Sequence, residues 1–294
     1  DGTPLYVDWL KDDDLPSTAP LLLILPTITG DGPTHSYIMK EASRRGYRAC
    51  VLNRRGLASA LHTPRFNVMG DQDDTVLQVS HVKQKYKKAS FTGLMGLSGG
   101  SGLLVTYLGA TRTKEIDAAC CLCPAYDIET AFKNFEKRHP IVDQYLLNEV
   151  RNRYVVTNER LLRKHNSEAV DACMNAKSVD EILRAHVPFT GCGSCSEKDY
   201  FKRSNPMQHV FGIRCPLMIL NADDDMVCLK RNIREDLPRN HGGVLMLRTS
   251  EGSHVAFSEG VFGEGNFMVR KSLDFLDAAR KVGARAEYLP GDDI

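Results

Sequence analysis

Six short apolar runs, bounded by Gly, Pro or Asn, limit what this chain can fold into more than any other feature. They occupy 20–25, 47–52, 91–97, 118–123, 216–221 and 243–248. Continuous runs of this length suit strands buried on both faces, because a strand with one wet face would alternate apolar and polar residues. Amphipathic stretches at 34–45, 73–87, 101–110, 229–237 and 267–282 lie between or after them and predict helices. Strand–helix alternation of this kind predicts an α/β fold, a mostly parallel doubly wound sheet with helices on both faces.

One interval breaks the rhythm. From 127 to 205 there is no strand pattern, only charged helical stretches such as 127–138 and 144–164. About eighty residues between consecutive strands far exceeds an ordinary connection. The chain of 294 residues, 42% of them hydrophobic, is therefore expected to be one domain over 1–294 carrying a helical cap insertion at 127–205. Within the insertion Ile141, Val142, Tyr145, Leu146 and Val150 recur at helical spacing and are expected to pack on the core or to line a channel.

Charge and cysteine usage exclude several partners. A net charge of +1 offers no electrostatic case for nucleic acid or an anionic membrane. The basic clusters Arg44-Arg45, Arg54-Arg55 and Lys83 to Lys88 are interspersed with acids and are expected to be solvated faces. No apolar run reaches the roughly 18 residues that span a bilayer. Because the chain opens on Asp1, an upstream signal or anchor is left open, and with it membrane association through a segment absent from this chain. Nine cysteines, an odd number, argue against a disulfide scaffold and for a reducing, intracellular setting, cytoplasmic or membrane-associated. Cys120, Cys121 and Cys123 sit in a strand-like run and are expected in the core. Cys192 and Cys195 form a lone CxxC without the further ligands zinc requires, so a structural role is expected and no metal site.

Gly96-Leu97-Ser98-Gly99-Gly100 matches G-x-S-x-G. At ordinary glycine frequency that pattern arises by chance in on the order of one chain in ten, so its surroundings decide. Here an apolar strand run leads into it and Gly102-Leu-Leu-Val-Thr-Tyr-Leu108 continues as a buried helix. A serine held at such a strand-to-helix turn needs small neighbours and is exposed as a nucleophile beside the helix N-terminus.

A nucleophilic serine needs a base and an orienting acid, which on such sheets follow in the order Ser, Asp, His on loops after later strands. The run 217–220 leads into Asn221-Ala-Asp-Asp-Asp225, where Asp225 is taken as the acid and Asp224 is the alternative. The spare aspartates are expected to cap the next helix. Among nine histidines, His254 alone lies between the last of these strands and the final helix, and it is taken as the base. Attack on a carbonyl builds negative charge on its oxygen, which requires backbone donors. The expected donors are the N–H of Gly99, just after the serine, and that of Ile28 in the loop Leu25-Pro-Thr-Ile-Thr-Gly30.

With these pieces placed, the sequence resembles the α/β-hydrolase-domain (ABHD) family of serine esterases and monoacylglycerol lipases. The matching segments are the Leu-Pro-x-x-Thr-Gly loop at 25–30, Ser36-Tyr-Ile, Asn53-Arg-Arg-Gly56, Thr63-Pro-Arg, the elbow with Tyr107-Leu-Gly109, Asp199-Tyr with Ser204-Asn-Pro206, and Leu220-Asn-Ala-x-Asp-Asp225. In the family's membrane-associated branch the second member of the Asp-Asp pair aligns with the acid, which favours Asp225. The departures are Thr27 where the family usually has Gly, Met226 for the usual Pro, and Ser253 before His254 in place of Gly.

The resemblance implies an α/β-hydrolase fold and hydrolysis of carboxylic esters, often lipid-like, through an acyl-enzyme and without a cofactor. The expected partner is a small-molecule ester, with no nucleic acid. Thioesterase, acyltransferase and amidase chemistry on the same site, or a non-catalytic binding protein of the same fold, are the alternatives. Oligomeric state is left open.

Overall fold

In the computed structural model, which describes residues 2–11, 14–193, 195–261 and 263–283, each of the six apolar runs is a strand. The ends of the expected 1–294 domain, residue 1 and 284–294, lie outside the described residues. In chain order the first elements are β1 (Val7–Trp9), β2 (Leu21–Leu25), α1 (Ser36–Arg44), β3 (Arg48–Leu52), α2 (Gln72–Lys85), β4 (Thr92–Leu97), α3 (Gly99–Thr111) and β5 (Ala118–Leu122). The sheet order is β1-β3-β2-β4-β5, continuing through β6 (Leu217–Ala222) to β7 (Val244–Thr249). Within this seven-stranded sheet all pairings are parallel except β1 with β3. The fold is an α/β-hydrolase fold.

Strand β2 shows why its run is unbroken. Leu22 and Ile24 pack into the core on one face, while Leu21, Leu23 and Leu25 pack into the core on the other. The first core also takes Ile38 and Met39 of α1 and Leu273 and Leu276 of the last helix, α12 (Phe267–Val282). The second takes Val79 and Val82 of α2 with Leu104 and Leu108 of α3. Helix starts are chemically marked, with Asp71 accepting the Asp73 N–H before α2 and Asn266 accepting the Val269 N–H before α12.

Strand order reverses at β2, which has β3 on one side and β4 on the other. The loops after β2 and β4 therefore leave the carboxyl edge in opposite directions and open a crevice between them, where such sheets bind ligands. Ile28 follows β2 and Ser98 follows β4, so both candidate residues lie at this crevice.

Between β5 and β6 the chain is helical, with α4 (Ile128–Phe132), α5 (Phe135–Arg138), α6 (Pro140–Val150), α7 (Glu159–His165), α8 (Ser167–Asn175), α9 (Val179–Ala185) and α10 (Glu197–Ser204). The expected single helix over 127–138 is broken at Lys133–Asn134, where Asn134 adopts a left-handed conformation. The expected helix over 144–164 loosens after Val150 into a π-helical turn, Arg151–Val155, and a 3-10 turn before α7. Phe135, Leu147, Val150, Tyr154, Leu162 and Ile182 from this segment share one core with Ile24 and Ile28. Of the apolar set singled out in the sequence, Val150 is buried and Val142 and Leu146 are partly buried, whereas Ile141 and Tyr145 face solvent.

Other expectations need correction. The stretch 229–237 is not a helix but a 3-10 turn, Lys230–Asn232, followed by turns and the short α11 (Leu237–Asn240). Arg54 and Arg55 are not on a solvated face but buried. Arg55 is paired with Asp74, its Nε donating to the carboxylate at 2.8 Å, and Arg54 lies beneath the loop after β2. Cys192 and Cys195 are joined in a disulfide, while the seven other cysteines are buried thiols outside any disulfide. Cys120, Cys121 and Cys123 are in the core as expected. Among the described residues, no helix is long and apolar enough to cross a membrane.

Candidate active site

Ser98 is the residue before α3 and has φ 52°, a left-handed backbone conformation rare for a residue with a side chain. Three glycines make the turn possible. A Cβ on Gly96 would lie 2.5 Å from the Gly100 carbonyl oxygen, and one on Gly100 would run into the carbonyl groups of Leu25 and Pro26. A Cβ on Gly99 would collide with the Ile28 side chain. The elbow is also bolted to β5, since Ser98 N–H donates to Leu122 O at 2.8 Å. Ser101 Oγ accepts the Leu122 N–H at 2.9 Å and lies 2.7 Å from Gly96 O. Ser101 escaped the reading of the sequence, although a buried serine one turn into an apolar helix was a visible signal.

Ser98 Oγ lies 2.7 Å from Nε2 of His254. The Nδ1 of His254 in turn meets Asp225 at 3.0 and 2.9 Å from its two carboxylate oxygens. The three residues chosen from the sequence are thus brought together in one hydrogen-bonded row. Asp225 is buried, and its Oδ1 also accepts the N–H groups of Val227 and Cys228, each at 2.8 Å. Those bonds fix the carboxylate in place.

The other two aspartates do different work from the helix capping expected of them. Asp224 accepts the Ser253 N–H at 2.7 Å, tying the loop before His254 to the loop after β6. Asp223 holds Lys230 at 2.7 Å and also Arg248, and these cations draw its pKa down to about 2. The His254 loop is strained, with Ser253, Val255 and Phe257 all at positive φ, a conformation that costs most for β-branched Val255. Cys123 steadies it, because the Val255 N–H donates to Cys123 Sγ at 3.4 Å. The buried Cys123 thiol has its pKa pushed well up, chiefly by desolvation and then by the charge of Asp225, so it stays protonated. Cys123, Asp225 and His254 offer donor atoms within 4.8 Å of one another. Each is already engaged in the bonds described.

The loop after β2 is held from several sides. His35 is buried, and its Nε2 accepts the Thr27 N–H at 3.3 Å. Burial and then the neighbouring charge of Arg54 lower the His35 pKa to about 4, so at neutral pH the ring is uncharged and able to accept. Arg54 Nη1 donates to Pro26 O at 2.6 Å and to Thr27 O. From the helical segment, Tyr154 OH donates to Ile28 O at 2.8 Å, and Arg153 donates to Thr29 O and to Asp31. Neither His35, Arg54 nor Tyr154 was singled out as a site residue from the sequence.

A cavity of about 430 Å³ opens beside Gly99. Its walls come from the sheet side (Met69, Leu103) and from the helical segment (Ile128, Tyr200), with Arg65 and Arg203 among its polar groups.

No protein-family model matches the chain. Among curated proteins it is 28% identical to human "Phospholipase ABHD3" over 96% of this chain and 71% of that protein. It is also 28% identical to the "Monoacylglycerol lipase" of Saccharomyces cerevisiae, over 84% of this chain and 56% of that protein. In three dimensions it is similar to a carboxylesterase structure from the thaumarchaeon Nitrososphaera gargenis, with a TM-score of 0.58, 14% identity and coverage of 96% and 97% of the two chains. An esterase of Pyrococcus furiosus aligns with a TM-score of 0.55 at 17% identity, over 93% of this chain and 86% of that one. These likenesses support kinship with the α/β-hydrolase-domain (ABHD) proteins, and the chain is a carboxylic ester hydrolase.

Proposed function

We propose that the chain cleaves lipid-like acyl esters with Ser98 as nucleophile, His254 as general base and Asp225 as the orienting acid. The observation that carries this reading is the continuous row from Ser98 Oγ through His254 to the buried Asp225 carboxylate. His254 Nε2 takes the hydroxyl proton as Ser98 Oγ bonds to the ester carbonyl carbon. Negative charge then moves to the carbonyl oxygen, where the N–H groups of Gly99 and Ile28 receive it. Asp225 holds the imidazole in the tautomer that exposes Nε2 as an acceptor and stabilises the imidazolium once formed. Collapse of the tetrahedral adduct expels the alcohol, which takes the proton from His254 and leaves the acyl group on Ser98. Water, deprotonated by His254, repeats the attack and releases the acid.

The segment 127–205 acts in this reading as a lid over the crevice. Support comes from its bonds to the loop after β2, through Arg153 and Tyr154, and from its share of the cavity wall. Lipid-like substrates are favoured by the names of the relatives, a phospholipase and a monoacylglycerol lipase.

The test is a panel of monoacylglycerols, phospholipids and p-nitrophenyl esters of graded acyl length. The reading expects turnover on acyl glycerides or phospholipids that exceeds turnover on acetyl esters. Activity confined to acetyl esters would remove the lipid part of the proposal, and no ester turnover at all would remove the whole.

A further inference from the structure

Arg54 is a buried cation with no carboxylate partner among the described residues. Its Nη1 is spent on the Pro26 and Thr27 carbonyls, while Nε and Nη2 are buried without any hydrogen-bond partner. Burial lowers the Arg54 pKa, yet a guanidinium starts so high that it keeps its charge. A buried charge left in this condition costs stability, so its retention calls for a use.

Its position suggests one. A trans peptide is planar, so the C=O of Thr27 and the N–H of Ile28 belong to one rigid unit and point in opposite directions. Arg54 grips that C=O and thereby sets the direction of the Ile28 N–H. The preceding peptide is fixed as well, with Arg54 on Pro26 O and His35 Nε2 on the Thr27 N–H. The following carbonyl, Ile28 O, is held by Tyr154. Meanwhile the free Nη2 faces the elbow, lying 3.6 Å from where a Cβ on Gly99 would be. The guanidinium thus adjoins both residues assigned to the oxyanion.

We infer that Arg54 is a positioning residue for the oxyanion hole, aiming the Ile28 N–H and placing a fixed positive charge behind the Gly99–Ile28 pair. This inference rests on the proposed serine-hydrolase reading. A positive charge in a dry surrounding favours negative charge nearby without any reorganisation during the reaction. It acts on the tetrahedral oxyanion far more than on the neutral ester. Its loss is therefore felt in kcat and in binding of charged adducts, and little in KM.

The experiment compares wild type, Arg54→Met and Arg54→Lys in the full chain. It measures kcat and KM on one reporter ester, thermal unfolding, and inhibition by a trifluoromethyl ketone against the matching methyl ketone. The trifluoromethyl ketone adds to the serine as an anionic hemiketal, whereas the methyl ketone binds as a neutral carbonyl. For Arg54→Met we expect kcat to fall about 100- to 1000-fold, as for loss of an oxyanion donor, with KM changed less than about 3-fold. The advantage of the trifluoromethyl over the methyl ketone should shrink by a similar factor. Arg54→Lys keeps the charge but carries it on a compact ammonium without the planar guanidinium that places Nη1 on both carbonyls, and should lose roughly 10-fold in kcat with the same split. If Arg54→Met does not fold, Arg54→Lys decides alone. Wild-type kcat and ketone preference in a folded variant would overturn the inference, as would equal losses on both ketones. In either case, retained reaction of wild type with a fluorophosphonate would leave the serine-hydrolase reading standing.

Discussion

Asp224 and Asp225 are adjacent in sequence but face different partners, Asp225 holding the His254 imidazole at 2.9 Å and Asp224 holding the backbone N–H of Ser253 at 2.7 Å. Asp225→Asn puts an amide donor against Nδ1 and favours the wrong imidazole tautomer, so kcat should fall by about 10⁴-fold. Asp224→Asn keeps an oxygen for the Ser253 N–H and should cost less than about 10-fold. Steady-state rates of the two variants check this. Equal losses, or a larger loss at Asp224, would contradict the assignment.

Gly100→Ala tests the packing of the elbow rather than its chemistry. The new Cβ would lie 2.6 Å from Pro26 O, a backbone atom with no rotamer to change. Overpacking of this kind costs about 1–3 kcal/mol, and here it also pushes the loop that carries Ile28. We expect a lower melting temperature together with reduced kcat. A variant with unchanged melting and activity would show that β2 and α3 are not packed as described.

Most of this architecture was legible because both faces of the sheet are covered. The strand runs announce themselves as unbroken apolar segments, and the order Ser98, Asp225, His254 along the chain corresponds to their meeting in space. Short edge pieces were not legible, since the three residues of β1 carry too little pattern and owe their conformation to pairing with β3. The helical segment was legible as helical but not in its breaks. The left-handed Asn134 and the π-helical turn at 151–155 answer to tertiary packing, which places Tyr154 on Ile28 O. Arg54 and Arg55 were misread because two adjacent arginines ordinarily signal a wet surface. Their burial depends on Asp74, nineteen positions further on, and on carbonyls of a separate loop.

The Arg55–Asp74 pair gives a stability prediction. Both side chains are buried, so Asp74→Ala strands a guanidinium without its carboxylate and should cost about 3–5 kcal/mol. The double variant Arg55→Met with Asp74→Leu removes both charges and should be less damaging than Asp74→Ala alone. Chemical denaturation of the three proteins measures the difference. A double variant at least as unstable as Asp74→Ala would argue against a desolvated pair.

Acid should destabilise the fold through two buried histidines. The pKa of His186 is lowered to about 4 by desolvation, and that of His35 to about 4 by desolvation and then by Arg54. An unfolded histidine binds its proton near pH 6.5. Between about 6.5 and 4 the unfolded chain therefore holds more protons than the folded one. Stability is full above the unfolded value and is lost as pH falls through this window. Melting temperatures across pH 7 to 4 should decline, and His186→Gln should make the decline shallower. Parallel curves for the variant and wild type would mean that His186 protonates alike in both states.

The central claim is that Ser98 is the nucleophile, activated by the His254 nitrogen 2.7 Å away. Incubation with a fluorophosphonate followed by peptide mass mapping tests it most directly. The account predicts a single phosphonyl adduct on the peptide containing Ser98, formed with loss of ester hydrolysis and absent from Ser98→Ala, which should fold normally and hydrolyse no ester. An adduct at another residue, or a Ser98→Ala protein that turns over esters at the wild-type rate, would contradict it.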